Sequence, residues 1–183
     1  MPETDYRLVA TRFASACQRY CDIVDASNRT EKIELLVQLY RALPELILEA
    51  IQLPDTDPWK RDEEEGSDLD LTPSARPSVR MTNQEWGDLY KLPKEKLGEP
   101  PFYWTVFNPV EDKEAIEASL ADDIADVYRD VIEGVQLLGK TAASPGEIIW
   151  EWRISFHSHW GDHAIQALRT IHWLLSDKLP GLG

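Results

Sequence analysis

Apolar residues recur at every third or fourth position from Tyr6 to Val24, at Tyr6, Val9, Phe13, Cys17, Tyr20 and Val24. That period predicts an amphipathic helix, broken at Asn28 to Thr30. A second helix is expected from Glu31 to about Ile51, with Ile33, Leu36, Val37, Tyr40, Leu43 and Ile47 on its apolar side. Pro44 should kink or divide it, since proline removes one helical hydrogen bond. Between Leu53 and Arg80 the pattern stops. Pro54, Pro58, Pro73 and Pro77 forbid long regular structure, and Asp62 to Glu65 sit among Asp55, Asp57, Asp68 and Asp70. A solvated, mobile, acidic insertion over 53–80 is the expectation. It lacks the alternating ligands and closing glutamate of a calcium loop.

Order resumes around Trp86, Leu89 and Tyr90. The aromatic run from Pro100 to Pro109 reads as an extended piece packed over helices. Two long helices follow, about Asp112 to Leu138 and Gly146 to Ser176, and Ser144-Pro145-Gly146-Glu147 reads as the capped start of the second. No repeat and no convincing sheet are visible. The fold class is therefore all-α: residues 1–183 form one helical domain, a bundle of four to six helices.

Composition narrows the function classes. Hydrophobic residues are 43% of the chain, enough for a sizeable core. The net charge of −14 repels phosphate backbones and anionic lipid, so neither nucleic acid nor membrane is an expected partner. A cationic partner or a divalent metal suits that field better. Met1 to Asp5 lack the features of a secretory signal, and no apolar run approaches the roughly 18 residues of a membrane span, so a cytoplasmic protein is expected. Cys17 and Cys21, four apart, read as reduced core thiols rather than a redox pair.

Gly134 to Thr141 match the phosphate-loop pattern GxxxxGK[ST] to the letter. That chemistry needs a strand running in and a helix running out. Here a helical pattern runs in from Ala125, a turn with Pro145 runs out, and Val135, Leu137 and Leu138 fill the loop. The segment reads as a helix C-terminus stopped by Gly139, with Lys140 near the negative end of the dipole.

Candidate chemistry lies in the last two helices. Asp123, Asp126 and Asp130 share one helical strip at i, i+3 and i+7, while Asp122 and Asp126 point further toward solvent. All four histidines, His157, His159, His163 and His172, lie on the last helix, whose apolar arc also takes in Arg153, His157 and His172. The favoured reading is structural: Asp123 and Asp130 meet Arg153 and His157 in a buried polar network, because a buried charge must be paired. His172 reads as a satisfied core histidine. The alternative is a metal clamp of His159 and His163, four apart and so neighbours, completed by Asp126 or Asp123. Arg129 would be available for an anionic substrate. A metal-free pocket is the third option. Trp160 stands where a zinc protease needs its glutamate, and the Glu-x-x-His pairs of di-iron bundles are absent. Glu111 and Glu114 with Asp123 and Asp126 imitate the paired acids of all-α nucleotide pyrophosphatases, but on one helix and at too short an interval.

Ser119 to Asp123 with Asp126, Tyr128, Arg129 and Asp130, then Trp152, Phe156, His159 to Gly161 and His163, and Ala167 to Arg169 with His172, resemble an uncharacterised bacterial family, domain of unknown function 5063. The resemblance covers about two thirds of the chain. It implies a bacterial, cytoplasmic helical protein and brings no established activity, cofactor, partner or catalytic residue. Two functional readings follow. The favoured one is a non-enzymatic module whose segment from Phe102 to Phe107 packs or docks a protein partner. The other is a metal-dependent hydrolase or metal-binding bundle using His159, His163 and Asp126.

Overall fold

Asp5 opens the first helix by accepting hydrogen bonds from the backbone N–H groups of Arg7 and Leu8 at 3.0 and 3.1 Å, satisfying two donors that have no helical partner. Helix α1 then spans Tyr6–Asp25, a 3-10 turn covers Ser27–Arg29, and α2 spans Lys32–Ile51. A reciprocal capping box of Thr82 and Glu85 starts α3 at Asn83–Leu97. Strands β1, Phe102–Thr105, and β2, Ile116–Ser119, pair antiparallel with Tyr103 opposite Ala118. Helix α4 follows at Leu120–Leu138. A second capping box, Ser144 with Glu147, starts α5 at Pro145–Ser155, which continues through a π turn at Phe156–Trp160 into α6, Gly161–Ser176. This computed structural model describes residues 5–56, 80–98, 102–139 and 144–176.

The architecture is the all-α bundle that the pattern predicts, with α4 packed against α1, α3, α5 and α6, and α2 against α1 and α6. Phe13 joins the two largest core side chains, lying edge-on to Trp152 at 4.9 Å and stacked with Trp160 at 6.3 Å. Such pairs add about 0.5–1.5 kcal/mol each beyond the area they bury. Cys17 and Cys21 are buried free thiols. Among the described residues no helix is long and apolar enough to cross a membrane.

Three expectations change. The helix expected from about Asp112 begins at Leu120, because Ile116–Ser119 instead pairs with Phe102–Thr105, whose aromatic and β-branched residues favour a strand. A small sheet therefore exists where none was expected. Pro44 does not divide α2: it lies on the exposed side, between buried Leu43 and Leu46. A helix that curves convex to solvent loses least from a missing N–H there. Most of the acidic segment, residues 57–79, lies outside the described residues. Its described approach is fastened to α5, where Thr56 Oγ1 donates to the Gly146 carbonyl at 3.0 Å and Arg153 pairs with Asp55 at 3.0 Å.

Residues 134–138 of the phosphate-loop match fall inside α4. Its first glycine is a packing contact: a Cβ at Gly134 would stand 2.2 Å from the Trp152 indole, which donates through Nε1 to the Val131 carbonyl at 3.1 Å. Gly139 caps the helix. Lys140 and Thr141 lie outside the described residues.

Candidate metal centre

The π turn places the histidines. In it the Gly161 N–H reaches back to the Phe156 carbonyl, five residues earlier. A Cβ on Gly161 would lie 2.3 Å from that oxygen, so only glycine fits. π turns are rare and recur at functional sites. Here the turn leaves the rings of His159 and His163 edge to face, 4.9 Å apart, both toward the acidic strip of α4.

Each ring is held by a carboxylate of its own. His159 Nδ1 lies 2.8 Å from Asp130 Oδ2, and His163 Nδ1 lies 2.9 Å from Asp123 Oδ1. A carboxylate accepts, so in each neutral ring Nδ1 carries the hydrogen and Nε2 keeps its lone pair. That is the arrangement in which metal-ligating histidines are oriented by a second carboxylate. His163 Nε2 is 3.7 Å from Asp126 Oδ2. The other oxygen of Asp126 is occupied, accepting from Trp86 Nε1 at 3.0 Å and Arg129 Nη2 at 2.8 Å. Asp123 spends its second oxygen on the Tyr103 hydroxyl at 2.7 Å.

Electrostatics follow from burial. The hydrogen bond it donates to Asp123 pushes the His163 imidazole up, against the opposing effect of its own burial. Burial raises the Asp123 carboxyl, opposed by its hydrogen bonds from His163 and Tyr103. Both directions favour retaining a proton on the pair; on His163 that proton sits on Nε2, since Nδ1 already carries one, and a metal has to displace it. Burial, then Asp126 and Asp123, raise Asp122.

Asp126, His159 and His163 each offer a donor atom within 4.8 Å of the other two. In a tetrahedral shell, bonds of about 2.0–2.2 Å place donors about 3.3–3.6 Å apart, so the set must close by up to about 1.5 Å to hold one ion. Two imidazoles and a carboxylate suit zinc or iron better than magnesium or calcium, which prefer all-oxygen shells.

Asp123, a candidate ligand from the sequence, instead orients His163, because both its oxygens already accept hydrogen bonds. Asp126, expected to lean toward solvent, is buried, since α3 lays Trp86 over it. Asp130 meets His159, not Arg153 or His157. The predicted network of Asp123 and Asp130 with Arg153 and His157 does not form: Arg153 pairs with Asp55 and His157 is exposed. The π turn is the reason. On an unbroken helical wheel the buried positions before and after it centre about one residue's rotation apart, roughly 100°. Averaging the two stripes carries Arg153 and His157 onto the apolar side. His172 is satisfied but exposed, its Nδ1 3.0 Å from the Tyr40 hydroxyl. Arg129 is engaged by Asp126, by Asp130 at 3.6 Å and by the Trp86 ring, so it is not free for an anion. Glu111 and Glu114 lie on the connection between β1 and β2 and not in a helix.

Trp86, Tyr103 and Gly161 were not singled out for the site. Alternation in β1, with Tyr103 and Thr105 more buried than Phe102 and Trp104, is the one signal that separates Tyr103 from its neighbours. Beside the centre, a pocket of about 720 Å³ is lined by Arg80, Glu133, Trp150, Ser155 and also Arg129 and Asp130. None of the three candidate ligands lines it.

The family model described as Domain of unknown function (DUF5063) matches residues 4–177. The chain belongs to that family. The match takes in both ends of the bundle, beyond the two thirds that the resemblance covers. The DUF5063 chain is also similar in fold to the crystal structure of protein BF1032 from Bacteroides fragilis, with a TM-score of 0.67 and 18% identity over 88% of this chain and 89% of that one. At that identity the likeness is one of fold alone. No curated protein matches the chain.

Proposed function

We propose that the protein binds a divalent transition-metal ion, of the zinc or iron class, through Asp126, His159 and His163. Asp123 and Asp130 orient the two rings, and Trp86 with Arg129 holds Asp126 by one oxygen so that the other is offered to the ion. The observation that carries this reading is the pairing of each histidine Nδ1 with a separate carboxylate, at 2.8 and 2.9 Å, beside a third carboxylate. A purely structural network has no need of two such pairs converging on Asp126. The bound ion supplies Lewis acidity, and the chain's residues supply its position and charge. Elemental analysis of the purified, untagged protein tests the proposal. Near-stoichiometric zinc, iron or manganese, lost in His159→Ala and His163→Ala, is the expected result. No retained metal, and no change in melting temperature with chelator or added divalent ions, overturns it.

A second reading has its own support. On the arm made by β1, β2 and their connection, Trp104, Phe107 and Val110 are 69%, 79% and 91% exposed. Such a cluster suits a protein partner. Weakened co-purification of a partner after Trp104→Ser and Phe107→Ser would favour it. Unchanged association behaviour in both variants would count against it.

A further inference from the structure

The metal reading leaves the ion short of ligands. Among the described residues three donors converge, whereas zinc takes at least four and iron commonly six. The described residues thus leave at least one position to another ligand.

What lies beside the centre narrows that ligand. Asp122 stands one turn before Asp126 on α4, half-buried, within electrostatic reach of Asp126, Asp123, His163 and Arg129. Its carboxylate makes no hydrogen bond among the described residues. Its neighbours differ: Asp123 accepts two, Asp126 accepts from Trp86 and Arg129, and Asp130 is bonded to His159. Nor does Asp122 fall within the 4.8 Å group, so it is not a fourth ligand. The hydroxyl of Ser119, at the N-cap of α4, is buried and also without a hydrogen-bond partner among the described residues. The half-buried Asp122 carboxylate is available to accept from a donor O–H. A water held by the ion is such a donor, its acidity raised by the metal.

We propose that the centre is open: one coordination position holds water, exchangeable for a small neutral oxygen or nitrogen donor, and Asp122 accepts a hydrogen bond from that ligand. The proposal rests on the metal reading. Asp122 also sets the charge preference of the position, because an anion entering there meets a carboxylate at close range. Neutral substrates are favoured over anionic ones. This reverses the role that Arg129 suggested from sequence.

Cobalt(II) loading of the full chain tests this, with azide as the probe. Cobalt d–d absorption that appears on loading, and is lost in His159→Ala and His163→Ala, reports the centre itself. Saturable change of those bands on adding azide reports an exchangeable position. In Asp122→Asn, cobalt should bind as in the native chain while azide binds about tenfold more tightly, the repelling charge being gone. Circular dichroism melts of the variants separate loss of binding from loss of fold. Cobalt bound with bands indifferent to azide means a closed centre, and overturns the open position while the metal reading stands. Cobalt affinity lost in Asp122→Asn makes Asp122 a ligand and overturns its assigned role. An unchanged azide affinity in that variant does the same. Absence of cobalt binding to the native chain defeats the metal reading itself.

Discussion

Along α4, Leu120, Ile124, Val127 and Val131 belong to the hydrophobic core, whereas Asp123, Asp126 and Asp130 turn to β1, α3 and the α5–α6 rod. The first face is held by volume and apolar area, for which any well-fitting neighbour serves. The second is held one partner at a time: Tyr103 and His163 for Asp123, Trp86 and Arg129 for Asp126, His159 for Asp130. Removing a methyl group from the first face leaves a small void. Removing a partner from the second leaves a buried polar group unmatched, which costs more. The difference teaches that burial alone does not rank the residues of this helix. Ile124 is 0% exposed and Asp123 3%, yet loss of the carboxylate is expected to cost the more.

The largest expected effect is at the polar face. Asp123→Ala strands His163 and Tyr103 together and should destabilise the chain by about 3 kcal/mol in urea unfolding. A loss below that of an apolar truncation on the opposite face would collapse the distinction. Gly134→Ala should come next, at about 2 kcal/mol, since the new Cβ must displace the Trp152 indole, 2.2 Å away. Thermal melts read it, and a neutral result would show that the rod can slide along α4. Asp130→Asn should weaken metal binding about tenfold, by loosening His159, while moving the melting temperature of the chelated protein little. Competition with a chromophoric chelator measures the first quantity, and equal losses in both would make Asp130 merely structural. On the apolar face, Ile124→Val should cost about 1 kcal/mol. Smallest is Arg153→Ala, under about 1 kcal/mol, because its partner Asp55 is largely exposed. A large loss there would restore the buried network that the sequence suggested.

Much of this was legible before the structure, for a physical reason. Helix periodicity is local, and α1, α2 and the rod announce themselves by it. So does the strip of Asp123, Asp126 and Asp130, and so does the pair His159 and His163. What the pattern missed depends on events distant in sequence. Nothing local shows that Ile116 will pair with Thr105, or that Trp86 will bring its indole to Asp126. The π turn is the exception, a local feature that went unread, because a single glycine facing a carbonyl leaves no trace in hydrophobic spacing. Its neglect displaced Arg153 and His157 on the wheel and so misdirected the network.

The fastening of residues 53–56 has a consequence for how this chain tolerates change. Thr56 and Asp55 are tied to α5 on one side, and on the other the Met81 backbone and the Arg80 charge meet Glu133 of α4. Both stubs are therefore anchored on one pair of helices before the intervening residues begin. Doubling the length of a chain held at both ends costs only about 0.6 kcal/mol in closure entropy. A reporter peptide spliced between the stubs is therefore expected to leave Thr56, Asp55 and Arg80 on the same pair of helices.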